Sequence, residues 1–354
     1  MKIFKIVLTG GPCAGKTKVL NGVRKNLEED GYYVITVPET AESLIGGKII
    51  PYEDIIVKFQ EQILDIQKAK EDNAIEYAEN LAEILESNNI INEDLKEYSK
   101  AKGIIIIFDR GLLDNRAYLP HEEYNNLLKR KNINELNRLD NYDMVIDLIS
   151  MANLKKEAYQ NSEIRSEDDN LAKNLDIKTS GAWLIYDDLI TVKPADTIEE
   201  KIDYVYQLIN NYIKNSVKQK KFIEEVEIDN TLFDTLNEDN SRSFKTKKTQ
   251  IYFNKNLILE LYKIIYGDNI DITKVFLSKE DKKILSKEKI SFEDYCYLLG
   301  RFTDRKSEEK TITRFVDTGN IYSIINDGTT NYLETYSNNL KDIPKTIKLK
   351  KKGN

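Results

Sequence analysis

The feature that most constrains this chain lies near its start. An apolar run rich in branched residues, Ile3–Thr9, breaks into Gly10-Gly-Pro-Cys-Ala-Gly-Lys-Thr17, after which Val19, Leu20, Val23 and Leu27 recur at helical spacing. The run predicts a strand buried on both faces, the glycines a turn that cannot continue it, and the spacing a helix that ends at Gly31. Strand, turn and helix in that order make a βα unit, the building block of parallel sheets with helical layers. The turn also fits G-x-x-x-x-G-K-[ST] at every position. In that pattern Gly10, Gly11, Pro12, Cys13, Ala14 and Gly15 let backbone N–H groups turn inward around a phosphate. Lys16 can then reach the β- and γ-phosphates, and the Thr17 hydroxyl can ligate Mg²⁺.

Further along, Tyr32–Val37 reads as a second strand stopped by Pro38, Ile104–Phe108 as a buried strand closed by Asp109, and Met144–Leu148 as another. Residues 51–100 read as helix, with Ile55, Ile56, Phe59, Ile63 and Ile66 on one stripe and Ala78, Leu81, Ala82 and Leu85 on another. Helices are also predicted around Ala158–Asp176 and over Ile198–Tyr212. The expected fold is therefore α/β over residues 1–215, a doubly wound parallel sheet. From about residue 215 the pattern changes. Phe222–Ile228, Phe244–Phe253, Ser323–Ile325 and Asn331–Tyr336 read as β segments, and Leu257–Ile265 and Phe292–Leu299 as helices, so residues 216–354 are expected to form a smaller α+β domain. At 354 residues the chain suits two domains of roughly 150 residues each.

Composition removes several function classes. One histidine and two cysteines, Cys13 and Cys296, cannot build a four-ligand zinc site, a disulfide framework or a histidine-based triad. No stretch approaches the roughly 20 apolar residues that cross a bilayer, and the start lacks a secretory signal, so a cytoplasmic protein without a transmembrane segment is expected. The net charge of −7 conceals an acidic first part and a mildly basic remainder. That basic excess is too thin for a dedicated nucleic-acid binder. It is compatible with an anionic lipid or protein partner for the second domain, the partner of the rival reading given below. The tail Lys345–Lys352 reads as a frayed, solvated end.

A phosphate loop of this kind needs an acid opposite it to hold a magnesium hydration shell. Asp109 ends a neighbouring strand at the edge where ligands bind in open α/β sheets. The following residue is Arg110, not a second acid, so the base that activates water in an ATPase is missing. No Asn-Lys-x-Asp guanine signature is present either, because Asn254-Lys255-Asn256-Leu257 fails at its last position. Phosphoryl transfer to an organic acceptor requires instead a carboxylate for the acceptor hydroxyl and arginines for the moving charge. Glu39, just beyond the second strand, is the candidate carboxylate, although a solvated loop glutamate fits that position equally, with Glu42 close behind. Arg110 and Arg165 are the candidate arginines. Arg165 falls in a polar stretch suited to a lid, or, between Glu163 and Glu167, to simple pairing at the surface.

Taken in order, Val7–Thr17, Val37-Pro-Glu39, Phe108-Asp-Arg-Gly-Leu-Leu-Asp114, Asn141–Ile146 and Arg165-Ser-Glu167 resemble the P-loop domain shared by the NadR nicotinamide riboside kinase and the TRPL translocation defect proteins. The resemblance spans roughly residues 1–215. It implies a nucleoside-kinase-like sheet and lid, ATP or GTP with Mg²⁺, an AAA-like ATPase description, and a site role for Asp114. Ser150–Glu157 departs from the small-residue stretch usual in that family. Relatives often carry a C-terminal CYTH-like domain opening with Glu-x-Glu-x-Lys. Here Lys221-Phe-Ile resembles its remnant, with Val217 and Gln219 at the two glutamate positions, which removes the carboxylates that would hold a cation.

The sequence thus predicts an ATP- or GTP-binding, Mg²⁺-dependent phosphotransferase acting on an unidentified small hydroxyl-bearing acceptor. In it Lys16 holds phosphates, Thr17 and Asp109 position magnesium, Glu39 orients the acceptor, and Arg110 and Arg165 offset charge. The rival is a nucleotide-binding regulator or adaptor, or a slow NTPase, whose second domain contacts a phosphorylated lipid or protein.

Overall fold

The computed structural model describes residues 1–87, 90–150, 169–184, 186, 189–192, 195, 197–215, 222–228, 241–266, 269–317, 320–335 and 347–349. Two compact units emerge, Met1–Lys218 and Gln219–Asn354.

The first unit is a parallel sheet of five strands: β1 (Ile3–Thr9), β2 (Tyr33–Val37), β3 (Ile104–Asp109), β4 (Met144–Leu148) and β5 (Ile190–Val192), in the order β2-β3-β1-β4-β5. All four pairings are parallel. Every residue of β3 is buried, as a central strand covered on both faces must be. The helices are α1 (Lys16–Glu29), α2 (Thr40–Gly46), α3 (Ile56–Glu86), the short α4 (Glu93–Lys96), α5 (His121–Arg130), α6 (Glu135–Leu139), α7 (Asp169–Ala182) and α8 (Ile198–Asn215).

Helix α1 buries Val19, Leu20, Val23 and Leu27, the stripe predicted from spacing. It packs so closely on α8 that a Cβ added to Gly22 would lie 2.6 Å from Ile202. The long α3 turns Leu64, Ala78, Leu81, Ala82 and Leu85 into one core with Val7, Ile104, Ile106, Phe108 and Trp183. Because the strands run in parallel, the loops after β1, β2, β3 and β4 all leave from the same edge of the sheet. The helix expected around 158–176 falls partly outside the described residues, within which α7 begins at Asp169.

The second unit is an antiparallel sheet of nine strands, β6 (Phe222–Ile228), β7 (Ser241–Tyr252), β8 (Leu257–Tyr266), β9 (Asn269–Ser278), β10 (Ile284–Lys289), β11 (Arg305–Asp317), β12 (Asn320–Asn326), β13 (Asn331–Thr335) and β14 (Ile347–Leu349). Its order is β10-β9-β8-β7-β11-β12-β13-β6-β14, with helix α9 (Phe292–Arg301) as its helical element among the described residues.

Two expectations are corrected here. Leu257–Ile265 is not a helix but strand β8, paired along its length with β7 and β9. Its first half is buried on both faces, so apolar residues stand at odd and even positions alike. Leu259 and Leu261 pack with Tyr295 of α9, and Ile258 packs with Val275 and Leu277. A short two-sided apolar run has no distinctive period, and pairing with distant strands decides it. The tail is not wholly frayed either, since Ile347–Leu349 pairs with β6 and Ile347 is buried.

Candidate functional site

The loop after β1 depends on backbone shapes that side chains resist. Gly10 has φ of 137°, and a Cβ there would lie 2.2 Å from the Leu148 carbonyl oxygen. Gly15, with φ of 81°, opens α1. Lys16 arches back over the loop, its Nζ donating to the Gly10 and Gly11 carbonyls at 3.0 Å each. The rear of the loop is held by residues that no motif announces. Asp176 of α7 accepts from the Gly11 amide at 3.0 Å and from the Ser150 amide at 3.2 Å through one oxygen. The Ser150 hydroxyl donates to the Pro12 carbonyl at 2.5 Å. Lys201 of α8 donates to the Ala14 carbonyl at 2.7 Å and the Ile149 carbonyl at 3.1 Å.

Asp109, the last residue of β3, faces the exposed Thr17, whose hydroxyl lies 3.4 Å from its Oδ2. The other carboxylate oxygen, Oδ1, is buried with no hydrogen-bond partner. Burial pushes the Asp109 carboxyl up, Lys16 pulls it down, and Glu39 pushes it up again. A buried carboxylate with a vacant oxygen beside an exposed hydroxyl is a donor set suited to a hard divalent cation.

Arg110 takes φ of 71°, a left-handed backbone that non-glycine residues seldom adopt. The turn aims its side chain back beneath the loop. Its Nε donates to Glu39 Oε1 at 2.9 Å, and its Nη1 donates to Asp114 Oδ1 and to the Gly10 carbonyl at 3.3 Å each. Nη2 is buried without a partner. Burial opposes this charge, but Glu39, Tyr118, Asp114 and Asp109 outweigh it and raise the guanidinium's pKa. Asp114 also accepts from the Thr9 hydroxyl at 2.5 Å and the Gly111 amide at 2.8 Å. Burial still leaves its carboxyl raised.

Behind this pair, Gln67 of α3 accepts from the Thr40 hydroxyl at 2.8 Å and donates to the Arg110 carbonyl at 3.1 Å. The same amide donates to Glu71, which also accepts from the Tyr142 hydroxyl at 2.7 Å. Gln67 thus spans the ends of β2 and β3 and supports the strained turn from below.

Gly10 to Thr17, Glu39, Asp109, Arg110 and Asp114 therefore share one edge of the sheet. Glu39 is buried while Glu42 is exposed, which decides the choice left open for the loop glutamate's surroundings. Arg165 lies outside the described residues, as do Val217, Gln219 and Lys221. Asp176, Ser150, Lys201 and Gln67 escaped sequence reading. Their contacts with the loop cross separations of 165, 138 and 187 residues, and Gln67 reaches Arg110 across 43, so no spacing pattern carries them.

A family model described as an AAA domain matches residues 5–201, more than half of the chain. Among solved structures, deoxyadenosine kinase from M. mycoides with bound dATP aligns at 17% identity, covering 58% of this chain and 99% of that one, with a TM-score of 0.38. The same kinase with bound dCTP aligns at 17% identity over 59% and 100%, with a TM-score of 0.37. The PH1819 protein from Pyrococcus Horikoshii OT3 aligns at 15% identity over 33% and 76%, with a TM-score of 0.22. No curated protein matches the sequence. Among the described residues, no helix is long and apolar enough to cross a membrane.

Proposed function

The chain belongs to the AAA domain family over residues 5–201, and from that premise we propose that its first unit is an ATP- or GTP-binding, Mg²⁺-dependent phosphotransferase of the nucleoside-kinase type. Its acceptor is a small hydroxyl-bearing metabolite. The observation that carries this reading is the buried Glu39–Arg110 pair set against the Gly10 carbonyl of the loop. A carboxylate and an arginine there meet the two demands of transfer to an alcohol, holding the acceptor hydroxyl and offsetting charge on the moving phosphoryl group.

In this mechanism the loop amides and Lys16 bind the β- and γ-phosphates. Glu39 accepts a hydrogen bond from the acceptor hydroxyl and takes its proton at a carboxylate oxygen. Arg110, fixed by Glu39 and Asp114, offers Nη2 to a phosphate oxygen, and Arg165 adds a second positive charge. Gln67 keeps the Arg110 turn in its strained form. Thr17 and Asp109 would hold a magnesium ion, which when bound would neutralise phosphate charge. The NadR-like sequence segments support the kinase assignment within the family, and the second unit is read as a degenerate CYTH-like domain.

A second reading, a nucleotide-binding regulator, is favoured by one observation: Glu39 Oε1 is already engaged by Arg110 at 2.9 Å. Incubation with ATP or GTP, Mg²⁺ and a panel of nucleosides separates the two. The kinase yields a phosphorylated acceptor, and Glu39→Gln lowers its formation about a hundredfold with nucleotide affinity kept. Nucleotide uptake with no product from any acceptor supports the regulator. Steady phosphate release without an acceptor supports a plain NTPase.

A further inference from the structure

The phosphate loop is braced by a lysine far outside its motif. Lys201 sits in the first turns of α8, where the Thr197 hydroxyl accepts from the Glu200 amide at 3.2 Å and the Thr197 carbonyl accepts from the Lys201 amide at 3.4 Å. The residue is only 3% exposed. Long lysine side chains ordinarily carry their charge out to water, so an ammonium buried near a helix N-terminus stands against both solvation and the helix dipole. Something must repay that arrangement.

What the ammonium touches gives the reason. Ala14 belongs to the loop and Ile149 directly follows β4, so a single cation joins the loop to the neighbouring strand. The same helix lays Ile198 against Gly15, where a Cβ would sit 3.3 Å from its Cδ1. Two residues of α8, one turn apart, thus hold consecutive residues of the loop.

We propose that Lys201 is a positioning residue of the phosphate loop, anchoring the Ala14 carbonyl on the α8 side and setting a second positive charge beneath the place where phosphates bind. The effect on nucleotide rests on the reading proposed above, whereas the bracing of the loop does not.

The charge has a definite working range. Burial draws the Lys201 ammonium down to about 8, while Asp176 from α7 and Asp147 from β4 pull it up and Lys16 from α1 pushes it down. Below that value the brace is cationic, and as pH rises through it the charge is lost. A phosphate bound nearby favours the cation, so binding above pH 8 draws in a proton and affinity falls as pH rises.

Hydrogen exchange of the amides of residues 11–17, measured without nucleotide at pH 7, tests the brace. Lys201→Met is expected to speed their exchange about tenfold, the scale of a lost charged hydrogen bond, with Trp183 emission unchanged. Equal protection in both proteins overturns the brace. Calorimetry with Mg-ATP or Mg-GTP in buffers of different ionisation enthalpy then tests the charge. The wild-type protein is expected to take up a proton at pH 8.5, and Lys201→Arg, which keeps its charge, is expected to take up none. Absence of proton uptake by a wild-type protein that binds nucleotide overturns the electrostatic role, and this arm holds even if a variant fails to fold. A wild-type protein that binds neither nucleotide, with loop protection still lost in Lys201→Met, overturns the nucleotide reading and the charge role while the brace stands.

Discussion

Asp109 in the first unit and Glu260 in the second are buried carboxylates of nearly equal exposure, 3% and 4%, yet their environments treat the charge in opposite ways. Glu260 is matched within its own sheet. Lys248 lies 2.8 Å away, Gln250 donates at 2.9 Å, and the Tyr262 hydroxyl donates as well. Burial pushes its carboxyl up, but Lys248 and Tyr262 outweigh burial and leave it lowered. Asp109 has Thr17 at 3.4 Å, an oxygen with no partner, and a carboxyl left raised by burial. A fold compensates a buried charge internally when that charge serves the fold. One left under-compensated is a candidate for completion by something outside the chain. The comparison therefore supports our proposal that the carboxyl edge of the first unit, rather than the Glu260 face of the second, is where a ligand is completed.

The largest effect that sharpens this contrast is expected at Lys16. On the proposed function, Lys16→Ala removes the ammonium that would reach the phosphates and is expected to lower nucleotide-dependent transfer about a thousandfold or more. Circular dichroism should be unchanged, and hydrogen exchange across β7 and β8 should be untouched. Retained transfer in this variant breaks the assignment of the active edge. The same loss produced by a lysine change in the second unit, such as Lys248→Met, removes the contrast between the two regions.

How much of this was legible in the sequence differs between the regions for a physical reason. In the first unit, the chain reverses from strand to helix at glycines, so loop, strand and helix appear in one local stretch, and Asp109 is flagged by the apolar run that it closes. The supports of that edge were hidden, because Asp176, Ser150 and Lys201 arrive from distant segments and each looks locally like an ordinary polar residue. In the second unit, partners are set by strand pairing. Lys248 and Glu260 meet through the β7–β8 register, and β8 shows a helix-like run because Ile258–Leu261 is buried on both faces. Turn chemistry is local, whereas register is a property of the whole sheet.

Glycine substitutions test the contrast at the level of backbone. Gly10→Ala forces a Cβ to within 2.2 Å of the Leu148 carbonyl oxygen at φ of 137° and is expected to cost about 3 kcal/mol. Gly328→Ala, at φ of 93° in a turn with nothing within 4 Å, is expected to cost only about 1 kcal/mol. Chemical denaturation of each variant measures the difference. Equal costs would mean that the loop is not held rigidly against β4.

The smallest effects are the most discriminating, because the two carboxylates should respond with opposite signs. For Glu260 the folded pKa is lowered, so its stabilisation is present above the unfolded value and is lost as pH falls through the folded one. Glu260→Gln is expected to destabilise the second unit by about 1 kcal/mol at pH 7 and to weaken its acid dependence. For Asp109 the folded pKa is raised, so the fold favours the protonated acid and loses stability as pH rises through that value. Asp109→Asn is therefore expected to stabilise the first unit, on the order of 1 kcal/mol at pH 7, while abolishing magnesium-dependent nucleotide uptake. The single tryptophan, Trp183, is fully buried in the first unit and reports unfolding there, and hydrogen exchange of β8 reports on the second. A stabilised variant that no longer binds Mg-nucleotide is the signature of a residue retained for a ligand at the expense of the fold. A destabilised Asp109→Asn would place Asp109 with Glu260 as a structural carboxylate.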